Sequence, residues 1–180
     1  MLSVNQLTFQ TKKKTLIDDL SLNVTPGSFF ALLGRKDSGK TTLLRLCAGL
    51  LEPQSGKVYI NGMDTSKRGN KKNILRILGY MGAQDGYFPR LQVMEYLEIY
   101  AHAQGLSGLA ARERCMEVLS LGHLERKAEQ LVEEQPIGIR RELSFLRAIL
   151  HRPKLLLLDD PFAGMELAQK LAMEELFAML

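Results

Sequence analysis

Apolar and polar positions change rhythm along this chain, and each rhythm predicts an element. Val4 to Phe9 and Leu20 to Val24 alternate, the period of half-buried strands, with Lys12, Lys13 and Lys14 marking the turn between them. Pro26-Gly27 breaks the second strand. Residues 29–33, Phe-Phe-Ala-Leu-Leu, form a short continuous apolar run that predicts a buried strand, and residues 43–51 predict a helix. After the turn at residues 52–56, residues 57–60 predict a further strand ending at Asn61-Gly62. A short helix is expected over residues 73–76 and a strand over residues 77–81.

From about residue 91 to 134 the period becomes helical. Val93, Tyr96, Leu97, Tyr100 and Ala101 share one face, and Met116, Leu119 and Ser120 belong to a second helix beyond the break at Gly105-Leu106-Ser107-Gly108. This stretch reads as a helical insertion between two parts of a sheet domain. The Tyr96 and Tyr100 stripe fits a core face better than a binding box. A helix is then expected over residues 141–151, a buried strand over residues 154–160 ending in two acids, and a helix over residues 166–180. That last helix reaches Leu180 without a capping glycine, the expectation for a shortened product or a fragment.

Composition changes this picture little. At 180 residues, 46% hydrophobic and 24% charged, the chain is expected to be a soluble globular protein with one substantial core. No apolar run has the length of a membrane span, and the first residues lack the basic flank and apolar core of a secretory signal. Cys47 and Cys115 have no metal-ligand spacing, and free thiols in a cytosolic protein are the simplest reading. His102, His123 and His151 have no partners at useful spacing. The net charge of +4 collects at residues 12–14 and 67–72, runs that fit solvated loops better than an anion-binding surface, and no interleaved aromatics support a nucleic-acid reader.

The chemistry enters at Gly34-Arg35-Lys36-Asp37-Ser38-Gly39-Lys40-Thr41-Thr42, which matches G-x-x-x-x-G-K-[ST] between a predicted strand and a predicted helix. A loop in that setting turns successive backbone N–H groups toward one point, where the positive end of the helix also lies. Such a nest suits nucleotide phosphates, with Lys40 reaching the terminal phosphates and the Thr41 hydroxyl ligating Mg²⁺. Asp37 sits awkwardly in an anion site. Aspartate tolerates left-handed backbone, but its charge opposes the ligand unless the side chain turns outward, with Arg35 and Lys36 to offset it. The apolar strand ending at Asp159 supplies the usual companion, a carboxylate that holds Mg²⁺ directly or through water. Asp160 follows, placed to orient a water that attacks the γ-phosphate.

With these residues in order, nearly the whole chain resembles the nucleotide-binding domain of an ABC transporter, in the exporter-like branch. The resemblance runs through residues 16–22, 34–42, 55–62, 77–81, 93–97 and 147–154 into Asp159-Asp160-Pro161-Phe162-Ala163-Gly164. It implies an α/β P-loop NTPase core, a mixed sheet with flanking helices and an N-terminal antiparallel β subdomain, with an inserted helical subdomain. Residues 1–84 and 140–180 would form the core and residues 85–139 the helical part. ATP and Mg²⁺ are the implied cofactors. An integral-membrane subunit and a second ATP-binding subunit are the implied partners, on the cytoplasmic face of the cell membrane. Two such domains would sandwich two ATPs, and hydrolysis would drive transport.

Departures from the family pattern accompany the match. Its signature, Leu-Ser-Gly-Gly-Gln or a close variant, is replaced by Gln135-Pro136-Ile137-Gly138-Ile139, where Gly138 alone matches and remains as the nucleotide contact. The catalytic glutamate becomes Asp160, one methylene shorter, and a carboxylate displaced by near 1 Å can cost on the order of 10²-fold in rate. The metal-sensing glutamine aligns with Ala83 and, with a one-residue shift, becomes Gln84, a candidate for both catalysis and metal contact. The adenine-stacking aromatic aligns with Thr11, with Phe9 as a substitute, and the interface acid appears as Glu166. Three functions remain open from the sequence. The first is a transporter ATPase that is weak or partner-dependent. The second is a non-hydrolysing ATP-binding regulatory module. The third is a soluble relative in DNA or translation work, which would need coiled-coil heptads or tandem domains that this chain lacks.

Overall fold

The structure is a computed structural model describing residues 1–12, 14–84 and 86–179. The expected turn at Lys13, the linker position Asp85 and the helix end at Leu180 therefore lie outside the described residues. The chain divides into two compact units, residues 1–80 and 81–180.

The first unit is built on an antiparallel sheet in the order β2-β1-β3-β4, from β1 (Leu2–Gln10), β2 (Thr15–Val24), β3 (Ser55–Ile60) and β4 (Met63–Asp64). Alternation in β1 puts Leu2 and Val4 into the core, a register shift at the left-handed Gln6 (φ 48°) brings Leu7 in as well, and register pairs Val4 with Leu22 of β2 and with Val58 of β3. β2 starts at Thr15, earlier than its alternating residues alone indicate, because its first residues pair with the end of β1, Phe9 opposite Ile17 and Gln10 opposite Thr15. Helix α1 (Lys40–Cys47) buries Leu43, Leu46 and Cys47. It stops short of the predicted residue 51 because Gly49 takes a left-handed φ of 69°, and the Leu50 N–H turns back to the Arg45 carbonyl at 2.9 Å. Helix α2 (Lys71–Ile77) lies in this unit, and strand β5 (Leu78–Met81) runs past its last residue, Tyr80.

One expectation fails here. Residues 29–33 do not form a buried strand: they carry no regular structure, with Phe29 87% and Leu33 91% exposed. A strand obtains its hydrogen bonds from neighbouring chain. Among the described residues none pairs with this run, so apolar composition alone does not make it a strand.

The second unit is largely helical, from α3 (Val93–Ala103), α4 (Gly108–Leu121), α5 (Ile137–Ile149) and α6 (Leu167–Ala178), with the short strand β6 (Leu155–Leu158). α3 opens with a reciprocal cap in which Gln92 and Glu95 bond each other's backbone. Its buried face is Val93, Met94, Tyr96, Leu97 and Ala101, with Tyr100 half-buried beside it. On α4 the buried residues are Ala111, Cys115, Val118 and Leu119; of the three residues assigned to this helix from the sequence, Leu119 is buried while Met116 and Ser120 are exposed. α5 begins at Ile137 rather than residue 141. Pro136 precedes it, and proline's fixed φ and missing N–H are no penalty at a helix start, where the first N–H groups have no partner within the helix. Phe145 of α5 is fully buried and packs on Phe177 of α6 at a ring-centroid distance of 4.9 Å. No helix among the described residues is long and apolar enough to cross a membrane.

Candidate functional site

In the first unit, the loop before α1 is shaped by its own backbone. The Ser38 N–H bonds to the Arg35 carbonyl at 3.3 Å, closing a turn in which Asp37 has φ 60°. Aspartate's tolerance of left-handed backbone is thus used. Gly39 has φ 96° and starts α1, its carbonyl accepting from the Leu43 N–H at 2.8 Å. A β-carbon at Gly39 would lie 2.9 Å from the Leu16 carbonyl oxygen, so both the dihedral and the space require glycine.

Lys40 folds its ammonium onto the loop, donating to the Gly34 and Arg35 carbonyls at 2.8 Å each, while Lys14 donates to the Asp37 carbonyl at 3.1 Å. Two cations therefore converge on this loop. The residue before α1, Gly39, has no side chain to cap the helix, and the first turn carries no acid. Helix-end N–H groups and an adjacent ammonium form a donor set suited to phosphate oxygens, so the residues present fit a nucleotide. Thr41 and Thr42 are half-buried at the helix start, while Arg35, Lys36 and Ser38 are exposed. Cys47, at the far end of α1, has its thiol pushed up to about 12 by burial, so it is not a nucleophile at neutral pH.

In the second unit the acidic strand end is held tightly. Asp159 is 5% exposed, and its N–H donates to the Met81 carbonyl at 2.9 Å. A carboxylate at the carboxyl end of a buried strand is a chemically apt hard-metal ligand. Asp160 is exposed and left-handed at φ 49°. Gln84 is exposed, between Gly82 and Gly86.

Gly138 lies in the first turn of α5 and is buried. A β-carbon there would come within about the same reach of three Gln169 side-chain atoms, the nearest at 2.0 Å. Gln169 belongs to the reciprocal cap of α6, in which Glu166 is the partner, so Glu166 also serves the helix start. Phe9 is half-buried and Thr11 exposed.

Three α5 arginines organise this unit, and sequence reasoning passes over them. Arg140 stacks over Tyr87 at 5.1 Å from the ring centroid. Arg147 donates to the Gly86 carbonyl at 3.1 Å and the Tyr96 hydroxyl at 3.0 Å, and lies 4.9 Å from the Tyr100 centroid. Burial raises the Tyr96 phenol's pKa, keeping it neutral. Arg141 reaches the strand ends. In the sequence Arg140-Arg141-Glu142 looks like an ordinary solvated charge run, and no spacing signal reveals that two of the three are buried.

Comparison with known proteins addresses the ancestry of this arrangement. The family model described as ABC transporter matches residues 17–163, most of the chain. The chain belongs to the ABC transporter family. It is 34% identical over 166 residues to the bacitracin transport ATP-binding protein BcrA of Bacillus licheniformis, covering 92% of this chain and 53% of that protein. It is 31% identical over 174 residues to the spermidine/putrescine import ATP-binding protein PotA of Legionella pneumophila strain Paris, covering 97% of this chain and 47% of that one. The chain thus spans about half the length of these curated relatives. Among solved structures, the dimeric post-hydrolysis ATP-binding cassette MJ0796 bound to ADP and Pi superposes with a TM-score of 0.89 at 23% identity, over 98% of this chain and 81% of that chain. That likeness shows the fold, an ABC cassette of the P-loop NTPase class.

Proposed function

We propose that this chain is the ATP-binding part of an ABC transporter, binding Mg-ATP and coupling its hydrolysis to transmembrane transport in the export direction. The observation that carries the reading is the loop of residues 34–42, where Gly39 is required by backbone and space, and Lys40 and Lys14 direct two ammonium groups to the loop ahead of a helix with no acid in its first turn. In this reading Gly34, Arg35, Lys36, Asp37, Ser38, Gly39, Lys40, Thr41 and Thr42 hold the phosphates. Thr41, Asp159 and Gln84 serve the Mg²⁺, and Asp160 with Gln84 orients the attacking water. Mg²⁺ would supply charge neutralisation between the phosphates.

Hydrolysis is weak or depends on a partner subunit, because Asp160 is short and the signature is reduced to Gly138. The cover of Gly138 by Gln169 supports this, since that glycine must be uncovered to meet a partner's nucleotide. Export is favoured by the sequence pattern and by similarity to a Nod factor export ATP-binding protein, 34% identical over 166 residues, though an import protein is similar at 31%. The partners would be an integral-membrane subunit and a second ATP-binding subunit, at the cytoplasmic face of the membrane. Core residues 1–84 and 140–180 with a helical part at 85–139 complete the proposal. The membrane subunit would dock at residues 84–89, where Tyr87 is backed by Arg140 and Phe88 is exposed.

The altered signature favours one alternative, a non-hydrolysing ATP-binding regulatory module. Mg²⁺-dependent phosphate release by the purified chain, alone and with its membrane partner, separates the two. Release abolished by Lys40→Ala and by Asp160→Asn supports the transporter ATPase; ATP binding without release in every combination supports the regulatory module. Absence of calorimetric heat with saturating Mg-ATP would reject both.

A further inference from the structure

We infer that Arg141 is a positioning residue for the acidic strand end, tying Asp159 and Asp160 to the helix that carries Gly138. This rests on the metal and water roles proposed above for those two acids.

Arg141 is 2% exposed on the second turn of α5. One of its terminal nitrogens, Nη1, donates to the Gly82 carbonyl at 2.9 Å; the other, Nη2, donates to the Asp159 carbonyl at 2.8 Å and also to that of Asp160. The acceptors are main-chain oxygens just beyond β5 and at the end of β6, and the same two segments are joined by the bond from the Asp159 N–H to the Met81 carbonyl. One guanidinium therefore closes a bracket around the point where the acidic side chains emerge.

Two physical arguments make this more than packing. Burying a cation is unfavourable unless charge-assisted hydrogen bonds offset its lost hydration, and three carbonyls at strand ends contribute to that offset. Asp160 is held at φ 49°, a left-handed backbone that is unfavourable for a non-glycine residue and persists only where surroundings impose it. Its carbonyl accepts from Arg141 and also from the Ala163 N–H at 3.2 Å, so Arg141 is part of what imposes the turn. The planar fork matters. A lysine at 141 would present one nitrogen to acceptors that the guanidinium reaches with two.

The test uses the full chain as wild type, Arg141→Met and Arg141→Gln, with two readouts. Without ligand, hydrogen exchange is followed at the Ala163 amide and, for reference, at Leu119 in α4. With ATP, the ratio of dissociation constants in EDTA and in Mg²⁺ is measured by calorimetry. Arg141→Met is expected to speed Ala163 exchange at least tenfold with Leu119 unchanged. It should leave ATP affinity in EDTA within about twofold, and remove most of the Mg²⁺-dependent gain; Arg141→Gln, which keeps an amide donor, should recover part of both. If the Met variant does not fold, intermediate values in the Gln variant support the positioning role and wild-type values in it overturn that role. Equal acceleration at Ala163 and Leu119, or an unchanged Mg²⁺-dependent ratio in a folded variant, also overturns it. A wild-type chain with no affinity for ATP overturns the nucleotide reading instead, and loses the metal half of this inference with it.

Discussion

Phe29 and Phe145 begin from the same side chain and end in opposite surroundings. Phe29 belongs to a five-residue apolar run in the first unit and stands 87% exposed; Phe145 sits in α5 of the second unit, fully buried between neighbours that include Phe177. A helix satisfies its backbone internally and needs only a complementary surface for its apolar face. An extended run must find both a hydrogen-bonding edge and a covering layer in other parts of the chain. α5 has its partners within residues 81–180, whereas residues 29–33 pair with no strand among the described residues and only Leu32 of them is half-buried. The same contrast extends to polar groups. The loop of residues 34–42 wears its charges in the open, while α5 draws Arg141 and Glu142 inside.

The largest effect expected from this contrast is at Phe145. Phe145→Ala removes a ring from a closed core and should cost about 3–5 kcal/mol, read as a lower midpoint in denaturant unfolding. A loss under about 1 kcal/mol would mean the second unit is as loosely packed as residues 29–33.

Next comes Glu142, whose burial raises its carboxyl from the ordinary 4.5 to about 7. The neutral form is the one the fold accommodates. Stability is therefore highest below pH 4.5 as far as this group is concerned, falls as pH rises from 4.5 through 7, and is lowest once the group is ionised in both states. Glu142→Gln should remove that slope and stabilise the protein at pH 8 by up to about 3 kcal/mol, measured as parallel melts at pH 5 and pH 8. Equal gains at both pH values would show that the carboxyl is not the source.

The smallest effect belongs to Phe29. Phe29→Ser should change stability by no more than about 0.5 kcal/mol. A cost above about 2 kcal/mol would place that ring in a core and erase the difference between the two regions.

Local signals are readable where local geometry carries the chemistry. The glycines and lysine of residues 34–42 announce their loop because its shape is made from consecutive backbone, and Asp37 and Gly39 show the left-handed dihedrals such a loop asks for. Asp159 is equally visible as an acid closing an apolar strand. Arg141 is not, since its acceptors lie 59 residues before it and 18 and 19 residues after it. The burial of Cys115 in place of Met116 escapes the pattern because helical period fixes a stripe's spacing but leaves its phase to whatever packs against it. Gly138 can be named from its order in the chain, yet its cover by Gln169 depends on how α6 is capped.

Sequence alone determined the family, the glycine-containing loop before α1 and the acidic strand end, because each is encoded within a few consecutive residues whose backbone or side chains act together. Tertiary structure decided that Phe29, Phe30 and Leu33 stay exposed, that an arginine from α5 grips the carbonyls of two acids, and that burial raises the carboxyl of the glutamate beside it. Those outcomes come from desolvation and hydrogen bonding between distant segments, and such energies exist only once the segments have met.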